Sequence, residues 1–279
     1  MNYILYNSLS NNHIEPEYIQ QARKENDEQN IIQDVVGLDY VAFFDHLKEE
    51  DSVTLVGGDG TIHYLINELG DYCPKNNIYL VPAGTGNDFF HDVAKDANQK
   101  QVLLNPYLAN LPVVEVAGMT KRFINGIGFG IDGYCCEVGD ELRKTSNQPV
   151  NYTSIAIKGL LFHFKPVKAK ITVDGVSESF EHVWLAPTMK GRYYGGGMMI
   201  APNQDRTNPE TVTTVVYKSK SKLKALMVFA SIFKGEHIQK EKMVKIFRGK
   251  EIQVEFDRPT ALQIDGETVK NVISYIVRV

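Results

Sequence analysis

Two patterns of hydrophobic and polar residues divide the chain near residue 112. In the first part, short apolar runs alternate with segments whose apolar residues recur every three or four positions, as strands followed by helices require. The predicted strands cover residues 3–6, 30–36, 52–56 and 78–81, and the predicted helices cover residues 14–24, 40–50 and 61–69. Such alternation predicts an α/β domain with a mainly parallel sheet and helices on both of its faces.

The second part of the chain shows the period-two alternation that is typical of strands. Turn signals such as Asp174-Gly175 and Asp265-Gly266 separate several of its segments. The strand-like segments cover residues 113–116, 123–127, 168–173, 179–186, 211–217, 250–256, 261–264 and 272–279. Helical periodicity returns in residues 151–164 and 222–233. We therefore predict a mainly antiparallel β domain that two helices interrupt.

The composition is that of an ordinary globular protein. Of 279 residues, 43% are hydrophobic and 23% are charged, and the formal net charge is −4. A negative net charge argues against a nucleic-acid partner. The three cysteines are odd in number and lack metal-binding spacing, which argues against a disulfide framework or a zinc site and favours a reducing, cytoplasmic setting.

No apolar segment has the length of a membrane span. The N-terminus lacks the basic and apolar regions of a signal peptide, so we expect none. The longest apolar run, residues 225–233, is far shorter than the roughly 20 residues that cross a bilayer. We expect a soluble protein, or one that lies on a membrane surface.

A glycine-rich turn follows the third predicted strand. Its sequence is Gly57-Gly58-Asp59-Gly60-Thr61, and apolar residues at helical spacing come next. A strand, a glycine turn and a helix together form an anion site, because glycine lets the backbone approach a phosphate and the first N–H groups of the helix point at it. The embedded Asp59 would repel phosphate, which suggests that a metal ion or hydrogen-bond donors lie between them.

A second glycine loop, Gly84-Thr85-Gly86-Asn87-Asp88, follows the fourth predicted strand. If the two parent strands are neighbours, both loops lie at one edge of the sheet and can hold a polyphosphate between them. The alternative is that each loop is simply a tight connection from strand to helix. The Walker A pattern is absent, which excludes a P-loop NTPase.

These blocks identify a family resemblance. The chain resembles the diacylglycerol kinase catalytic family, which includes sphingosine kinases, ceramide kinases and bacterial lipid kinases. The first glycine block is shared with NAD kinases, whereas the block from Pro82 to Phe89 is more specific for the lipid kinases. Two later blocks are similar to family motifs and stand in family order: residues 194–202, and Ile264-Asp265-Gly266-Glu267.

The resemblance implies a fold of two domains. It implies a nucleotide-binding α/β domain over residues 1–112, which the C-terminal strand 271–279 joins, and a β-sandwich domain over residues 113–270 that binds the lipid. The active site is expected in the cleft between the two domains.

The resemblance also implies the members of the site. ATP is the implied phosphoryl donor and Mg²⁺ the implied metal ion. The implied nucleotide-binding residues are Asn7, Gly57, Gly58, Asp59, Gly60, Thr61, Gly84, Thr85 and Asn87, and the implied metal-binding residues are Asp59, Asp88 and Glu115. Asp265 and Glu267 match the catalytic acids of the family, one of which would accept the proton of the lipid hydroxyl. Taken alone, Asp265-Gly266-Glu267 favours a hairpin turn over a catalytic motif.

The sequence departs from the family at three places. At one of them, Glu115 stands where many bacterial members carry an aspartate. An Asn-Glu pair usually follows the first block, and here His63 and Tyr64 stand in those positions. An acidic run usually follows the proline that matches Pro202, and here residues 203–209 include Thr207 and Asn208 instead. A structural metal ion that depends on this acidic run is therefore in question.

A basic and apolar segment offers a contact with lipid. Lys218, Lys220, Lys222 and Lys224 lead into an apolar stripe at helical spacing, which consists of Leu223, Leu226, Met227, Ala230 and Phe233. Such a combination suits an anionic membrane surface. The alternative is a solvated lysine loop that leads into a core helix. Residues 155–164 are apolar on most sides, and we expect them to be buried.

The sequence therefore predicts an ATP-dependent lipid kinase that phosphorylates a primary hydroxyl of a neutral lipid, with diacylglycerol as the first candidate. The predicted setting is the cytoplasm, in peripheral contact with the inner membrane face, and a homodimer is left open. The alternatives are an enzyme similar to NAD kinase, and a catalytically silent protein that binds nucleotide or lipid.

Overall fold

The computed structural model describes residues 1–9, 15–25, 27–84, 86–145 and 150–279. The chain forms two compact units, Met1–Asn110 and Leu111–Val279. The division falls two residues before the predicted one.

The first unit contains one five-stranded sheet in the order β2-β1-β3-β4-β5. Its strands are β1 (Asn2–Tyr6), β2 (Asn30–Asp34), β3 (Ser52–Gly57), β4 (Asn77–Pro82) and β5 (Val102–Leu103). The first four strands are parallel, and β5 is antiparallel to β4. Residues 53–57 of β3 are all buried, as expected for a parallel strand covered on both faces. The predicted mainly parallel sheet is confirmed.

In the part of this unit that the structure describes, five helices accompany the sheet: α1 (Glu17–Glu25), α2 (Tyr40–Asp45), α3 (Asp59–Leu69), α4 (Asp88–Val93) and α5 (Asn105–Leu108). The helix predicted over residues 40–50 ends at Asp45. The carboxylate of Asp51 accepts the backbone N–H of Lys48 at 2.9 Å and the N-terminal ammonium at 2.8 Å. These bonds hold residues 48–51 as a turn, so the helix cannot continue.

The second unit contains an antiparallel sheet in the order β7-β6-β15-β14-β8-β11-β12-β10-β9. Strand β9 also pairs with β14, so the sheet closes on itself, and β13 pairs with β12. The strands are β6 (Val113–Val116), β7 (Met119–Arg122), β8 (Gly126–Phe129), β9 (Val167–Val173), β10 (Val176–Leu185), β11 (Thr188–Met189), β12 (Val212–Lys218), β13 (Val244–Gly249), β14 (Glu251–Ile264) and β15 (Glu267–Arg278). The predicted antiparallel domain is confirmed.

The helices of the second unit pack on this sheet. They are α6 (Ile131–Thr145), α7 (Tyr152–Lys158), a π-helical turn (Gly159–His163), α8 (Lys222–Ile232) and a 3₁₀ turn (Glu236–Gln239). The α-helices of the described residues are too short or too polar to cross a membrane. Trp184 anchors the helical layer, since it is buried with residues of α7 and α8 and donates its indole N–H to Ser219 O at 2.9 Å.

The last strand does not join the first unit as predicted. Strand β15 pairs with β14 and with β6, and Tyr275 lies opposite Val254 on one side and Val116 on the other. Its apolar residues Val272, Tyr275 and Val277 are buried in the core of the second unit. This burial explains the pairing, because the strand completes the core formed by its own neighbours in the sheet.

Candidate active site

The strand order of the first sheet identifies one edge as a ligand site. From β1 the chain passes to β2 on one side, and from β3 it passes to β4 on the other, so the order reverses between β1 and β3. Ligands of open α/β sheets bind at such a reversal, beyond the carboxyl ends of the strands. Asn7 follows β1, Gly57-Gly58 ends β3, and the second glycine loop follows β4.

The two glycine loops are in backbone contact. A Cβ at Gly84 would lie 2.6 Å from the Cα of Gly58, and a Cβ at Gly58 would lie 2.8 Å from the Cα of Gly84. Side-chain carbon atoms do not approach backbone atoms so closely, so both positions require glycine in this arrangement. The glycines therefore bring the two loops together at the ligand edge of the sheet.

Asn87 stabilises the second loop. Its backbone is in the left-handed region, with φ of 47°. Its side-chain amide donates to Gly84 O at 2.7 Å, and its amide oxygen accepts from Gly84 N at 3.2 Å. This pair of bonds joins the two ends of the loop.

Asp59 links the first loop to the helix after the second. It is the first residue of α3, and its carboxylate accepts the backbone N–H groups of Asp88 at 2.8 Å and Phe89 at 2.9 Å. A carboxylate at a helix N-terminus stabilises that helix, so Asp59 fixes the position of α4 relative to α3. Two hydrogen-bond donors therefore lie beside Asp59, and the metal ion that the sequence also suggests stays a prediction.

The first turn of α3 is open. Among the described residues no side chain caps it, and a Cβ at Gly60 would meet no atom within 4 Å. Thr61 folds back onto β3, since a Cβ at Gly57 would lie 2.3 Å from the Thr61 hydroxyl oxygen. The partial positive charge of an uncapped helix start favours an anion at this position.

All of the predicted nucleotide contacts remain predictions, and two of the residues need separate mention. Thr85 lies outside the described residues. The side-chain oxygen of Asn7 accepts the backbone N–H of Leu9 at 2.9 Å, which forms a turn directly after β1. The structure therefore does not test a nucleotide contact of either residue.

The predicted metal-binding residues are only partly brought together. A Cβ at Gly86 would lie 3.3 Å from one carboxylate oxygen of Asp59 and 4.0 Å from one of Asp88. Glu115 belongs to the second unit, where it is exposed on β6 and paired with Arg278. Among the described residues, no three His, Cys, Asp or Glu side chains converge as a metal cage. Two carboxylates fit Mg²⁺ that enters with a nucleotide, since Mg²⁺ commonly takes one or two carboxylates together with phosphates and waters.

Asp265 forms both a turn and an anchor. Ile264 pairs with Glu267, and Asp265 and Gly266 have φ of 47° and 100°, as a two-residue hairpin turn requires. The predicted turn is therefore present. The Asp265 carboxylate also accepts three backbone N–H groups, from Ile124 at 2.7 Å, Asn125 at 2.9 Å and Gly126 at 3.0 Å. These bonds fix the direction of the carboxylate, while Glu267 is exposed at the start of β15.

Sequence reasoning missed a buried residue that holds the same segment. The guanidinium of Arg206 is buried and donates to Ile124 O and, at 2.7 Å, to the side-chain oxygen of Asn125. Arg206 lies in the stretch that departs from the acidic family pattern. A cation among residues 203–209 was its only signal in the sequence.

A second missed group lies beneath the Asp265 turn. The side-chain oxygen of Gln263 accepts the backbone N–H of Gly266 at 2.7 Å. A Cβ at Gly128 would lie 2.6 Å from the Gln263 amide nitrogen and 2.3 Å from a carboxylate oxygen of Asp132. Asp132 is buried and accepts the Tyr194 hydroxyl at 3.0 Å. In the sequence, this group was indicated by Asp132, a single acidic residue within an apolar stretch.

Burial of Asp132 predicts a stability that depends on pH. Desolvation raises the pKa of this carboxyl from 3.8 to about 6. The folded state then binds the proton more tightly than the unfolded state does, so Asp132 lowers stability progressively as the pH rises from 3.8 to about 6. A difference of about two pH units corresponds to about 3 kcal/mol.

Asp132→Asn removes this titration. Between about pH 4 and about pH 7, we expect the free energy of unfolding of the variant to rise by about 3 kcal/mol relative to the wild type. Urea unfolding of both proteins at a series of pH values measures this difference. If the difference in free energy of unfolding between the two proteins is the same at every pH, the pKa of Asp132 is not raised. If the difference rises with pH and also contains a part that does not depend on pH, that constant part reports the altered bond to Tyr194.

Comparison with known proteins adds independent findings. Residues 2–113 match the family model of the diacylglycerol kinase catalytic domain. Residues 125–276, more than half of the chain, match the model of the YegS C-terminal NAD kinase beta sandwich-like domain.

Similar proteins carry related names. A diacylglycerol kinase of Mycobacterium tuberculosis H37Rv is 27% identical over 216 residues, which are 75% of this chain and 68% of that protein. A diacylglycerol kinase of Bacillus subtilis is 25% identical over 231 residues, with 79% of this chain and 72% of that protein covered. A crystal structure of a diacylglycerol kinase from Bacillus anthracis Sterne covers 99% of this chain and 93% of that one, with a TM-score of 0.62 and 18% identity. This structural likeness supports the fold.

Proposed function

Because this chain belongs to the diacylglycerol kinase catalytic-domain family and is a lipid kinase, we propose that it transfers the γ-phosphate of ATP to the primary hydroxyl of diacylglycerol and so forms phosphatidic acid. The observation that carries the ATP half of the proposal is the backbone contact between Gly58 and Gly84 at the ligand edge of the first sheet. The names of the similar proteins support the choice of lipid.

The first unit supplies the phosphate-binding groups in this proposal. The β- and γ-phosphates bind the uncapped start of α3 and the loop from Gly84 to Asn87, where glycine allows close approach. Asn87 keeps the second loop closed, and Asp59 keeps the two helix starts in register through its bonds to Asp88 and Phe89. Phosphoryl transfer depends mainly on such positioning and on neutralisation of charge.

Asp59 and Asp88 are the carboxylates that would hold Mg²⁺ beside these phosphates. The ion, when bound, neutralises negative charge on the phosphate oxygens. Glu115 would have to give up its ion pair with Arg278 to take part.

The second unit supplies the proton acceptor. The lipid hydroxyl loses its proton to Asp265, and its oxygen forms a bond to the γ-phosphorus. The bond from that phosphorus to the β,γ-bridging oxygen breaks, so ADP leaves and the lipid carries a phosphate monoester. Three backbone N–H bonds hold the Asp265 carboxylate in a fixed orientation, as a general base requires. Glu267 would orient the hydroxyl or a bound water.

The direct test is incubation with Mg-ATP and a panel of lipids. The panel contains diacylglycerol, monoacylglycerol, a sphingoid base and a polyprenol, each dispersed in detergent, and thin-layer chromatography of labelled phosphate identifies the product. We expect phosphatidic acid from diacylglycerol to form fastest. A faster reaction with another lipid would overturn the substrate, and no labelled lipid at all would overturn the reaction.

NAD must also be tested as a phosphoryl acceptor in this assay. The second unit matches a domain described as NAD kinase beta sandwich-like, and the first glycine block, Gly57 to Thr61, resembles that of NAD kinases. Formation of NADP with an unlabelled lipid fraction would favour this second candidate.

A further inference from the structure

Helix α8 is apolar on its outer face as well as on its inner face. Ala225, Val228, Phe229 and Ile232 are buried in the core of the second unit. On the other face, Leu223 is 66% exposed and Met227 is 60% exposed, and Phe233 follows at 38%. An ordinary surface helix carries polar residues in such positions. Most of the apolar stripe predicted from the sequence is thus on the outside of the unit, whereas its Leu226 packs against the core.

The neighbouring π-helical turn also carries an exposed apolar side chain. Phe162 is 74% exposed, and Ile157 of α7 is 37% exposed. Leu160 and Phe164 of the same segment are buried in one cluster with the inner residues of α8. The expectation that residues 155–164 are buried was therefore wrong for these two exposed side chains.

A hydrogen bond holds the two exposed segments together. The ammonium group of Lys222 donates to the carbonyl oxygen of Leu161 at 2.6 Å. Phe162 and Leu223 are the next residues in sequence to these two partners, and Leu160 of the turn is buried in one cluster with the inner residues of α8. We call the exposed side chains of the two segments the apolar surface; they are Ile157, Phe162, Leu223, Met227 and Phe233.

The two segments that carry the apolar surface contain charges of one sign. Residues 150–165 and 218–235 contain seven lysines and no aspartate or glutamate, in a chain whose net charge is −4. The lysines are Lys158, Lys165, Lys218, Lys220, Lys222, Lys224 and Lys234. Positive charge beside exposed apolar side chains complements the headgroups of an anionic membrane.

We propose that the apolar surface docks on an anionic lipid bilayer, with its aromatic and aliphatic tips among the acyl chains and its lysines at the phosphate level. The proposal rests on the proposed function in that the substrate is a membrane lipid. A second copy of the chain is a poorer occupant, because a two-fold interface brings each lysine cluster against its own copy and the like charges repel.

Vesicle sedimentation tests the docking. We expect the wild-type protein to sediment with phosphatidylcholine vesicles that contain phosphatidylglycerol, and to do so weakly with phosphatidylcholine alone. Lys220→Gln with Lys224→Gln should weaken binding to the anionic vesicles about 30-fold, from about 5-fold for each lysine. Phe162→Ser with Leu223→Ser should weaken it at least about 10-fold.

Matched variants control for loss of charge or of exposed apolar area. Val176→Ser changes a side chain that is 76% exposed on the hairpin between β9 and β10. Lys95→Gln with Lys100→Gln changes two exposed lysines of the first unit. Both controls should bind vesicles as the wild type does. Equal weakening by the controls, or unchanged binding of the surface variants, would overturn the docking surface.

Kinase activity separates this proposal from the proposed function. On dioctanoylglycerol dispersed in detergent, the surface variants should keep wild-type activity, while on diacylglycerol in anionic vesicles they should lose it in step with binding. A wild-type protein that phosphorylates the dispersed lipid but does not bind vesicles overturns the docking alone. Sedimentation without phosphorylation of any lipid leaves the docking and overturns the reaction. Light scattering compares the molar mass of the surface variants with that of the wild type. If the molar mass differs while vesicle binding is unchanged, the face is a self-association surface and the docking is overturned.

Discussion

Asp265→Asn is expected to lower kcat for lipid phosphorylation by about 10²- to 10⁴-fold, the range that a general base contributes. The asparagine amide cannot take the hydroxyl proton, whereas the nucleotide-binding groups of the first unit are unchanged. Affinity for ATP, measured by equilibrium binding, should therefore stay at the wild-type value. Retention of wild-type kcat would remove Asp265 from the reaction.

The anchoring bonds of Asp265 require a second variant. Loss of acceptors for the N–H groups of residues 124–126 also destabilises the unit, by about 1–3 kcal/mol for a group left without a partner. Glu267→Gln changes an exposed side chain and should lower kcat without changing the unfolding temperature. Glu241→Gln, at another exposed position of the same unit, is the control and should change neither. If Asp265→Asn lowers stability but keeps the wild-type kcat, and Glu267→Gln has no effect on kcat, the motif is a structural turn.

Gly84→Ala is expected to lower kcat/KM for ATP at least about 100-fold, because misplacement of a binding group by about 1 Å can cost this much. The new methyl group would lie 2.6 Å from the Cα of Gly58, and a backbone atom cannot turn aside as a side chain can. The two loops must therefore separate. Overpacking of this kind also lowers the free energy of unfolding, typically by about 1–3 kcal/mol. Initial rates at a series of ATP concentrations and urea unfolding measure the two effects.

Gly60→Ala is the matched control within the same glycine block. A Cβ at Gly60 meets no atom within 4 Å. Since alanine is favoured over glycine in a helix by about 1 kcal/mol, the variant should be at least as stable as the wild type. A raised KM for ATP in this stable variant would indicate that phosphate approaches the start of α3. Wild-type ATP kinetics in Gly84→Ala would contradict the proposed use of the two loops.

The sequence predicted the parts of the fold that local pattern determines. The four parallel strands were predicted from apolar runs with helical segments between them. The placement of the two glycine loops at one edge of the sheet was predicted because each loop follows one of two strands taken to be neighbours. The turn at Asp265-Gly266 followed from the preference of that dipeptide for positive φ. In each case the physical cause lies within a few residues of the feature.

Helix α6 was missed because its glycines resemble turn signals. Gly133 and Gly139 interrupt the helical pattern, yet neither has a positive φ. A Cβ at Gly133 would lie 2.0 Å from the carbonyl oxygen of Ala261, and one at Gly139 would lie 2.7 Å from the ring of Tyr152. These glycines permit close packing with distant residues, and no local pattern distinguishes that purpose from a turn.

The candidate site contains contacts between residues that are far apart in the sequence. Asp265 binds backbone groups 139 to 141 residues away, and Arg206 reaches the same segment from 81 and 82 residues away. The sequence offered the acid itself as a candidate, but its partners depend on the closed order of the second sheet. The same reason explains the misplaced last strand, whose pairing is decided by the core that it completes.

The contact between Gly58 and Gly84 also has an evolutionary consequence. Each glycine excludes a side chain at the other position, so neither can drift while its partner and the backbone stay in place. A replacement at both positions at once only increases the clash, and relief requires that two strand ends move together. The two glycines must therefore be retained together. This edge of the sheet can change in evolution only if both loops change their conformation at the same time.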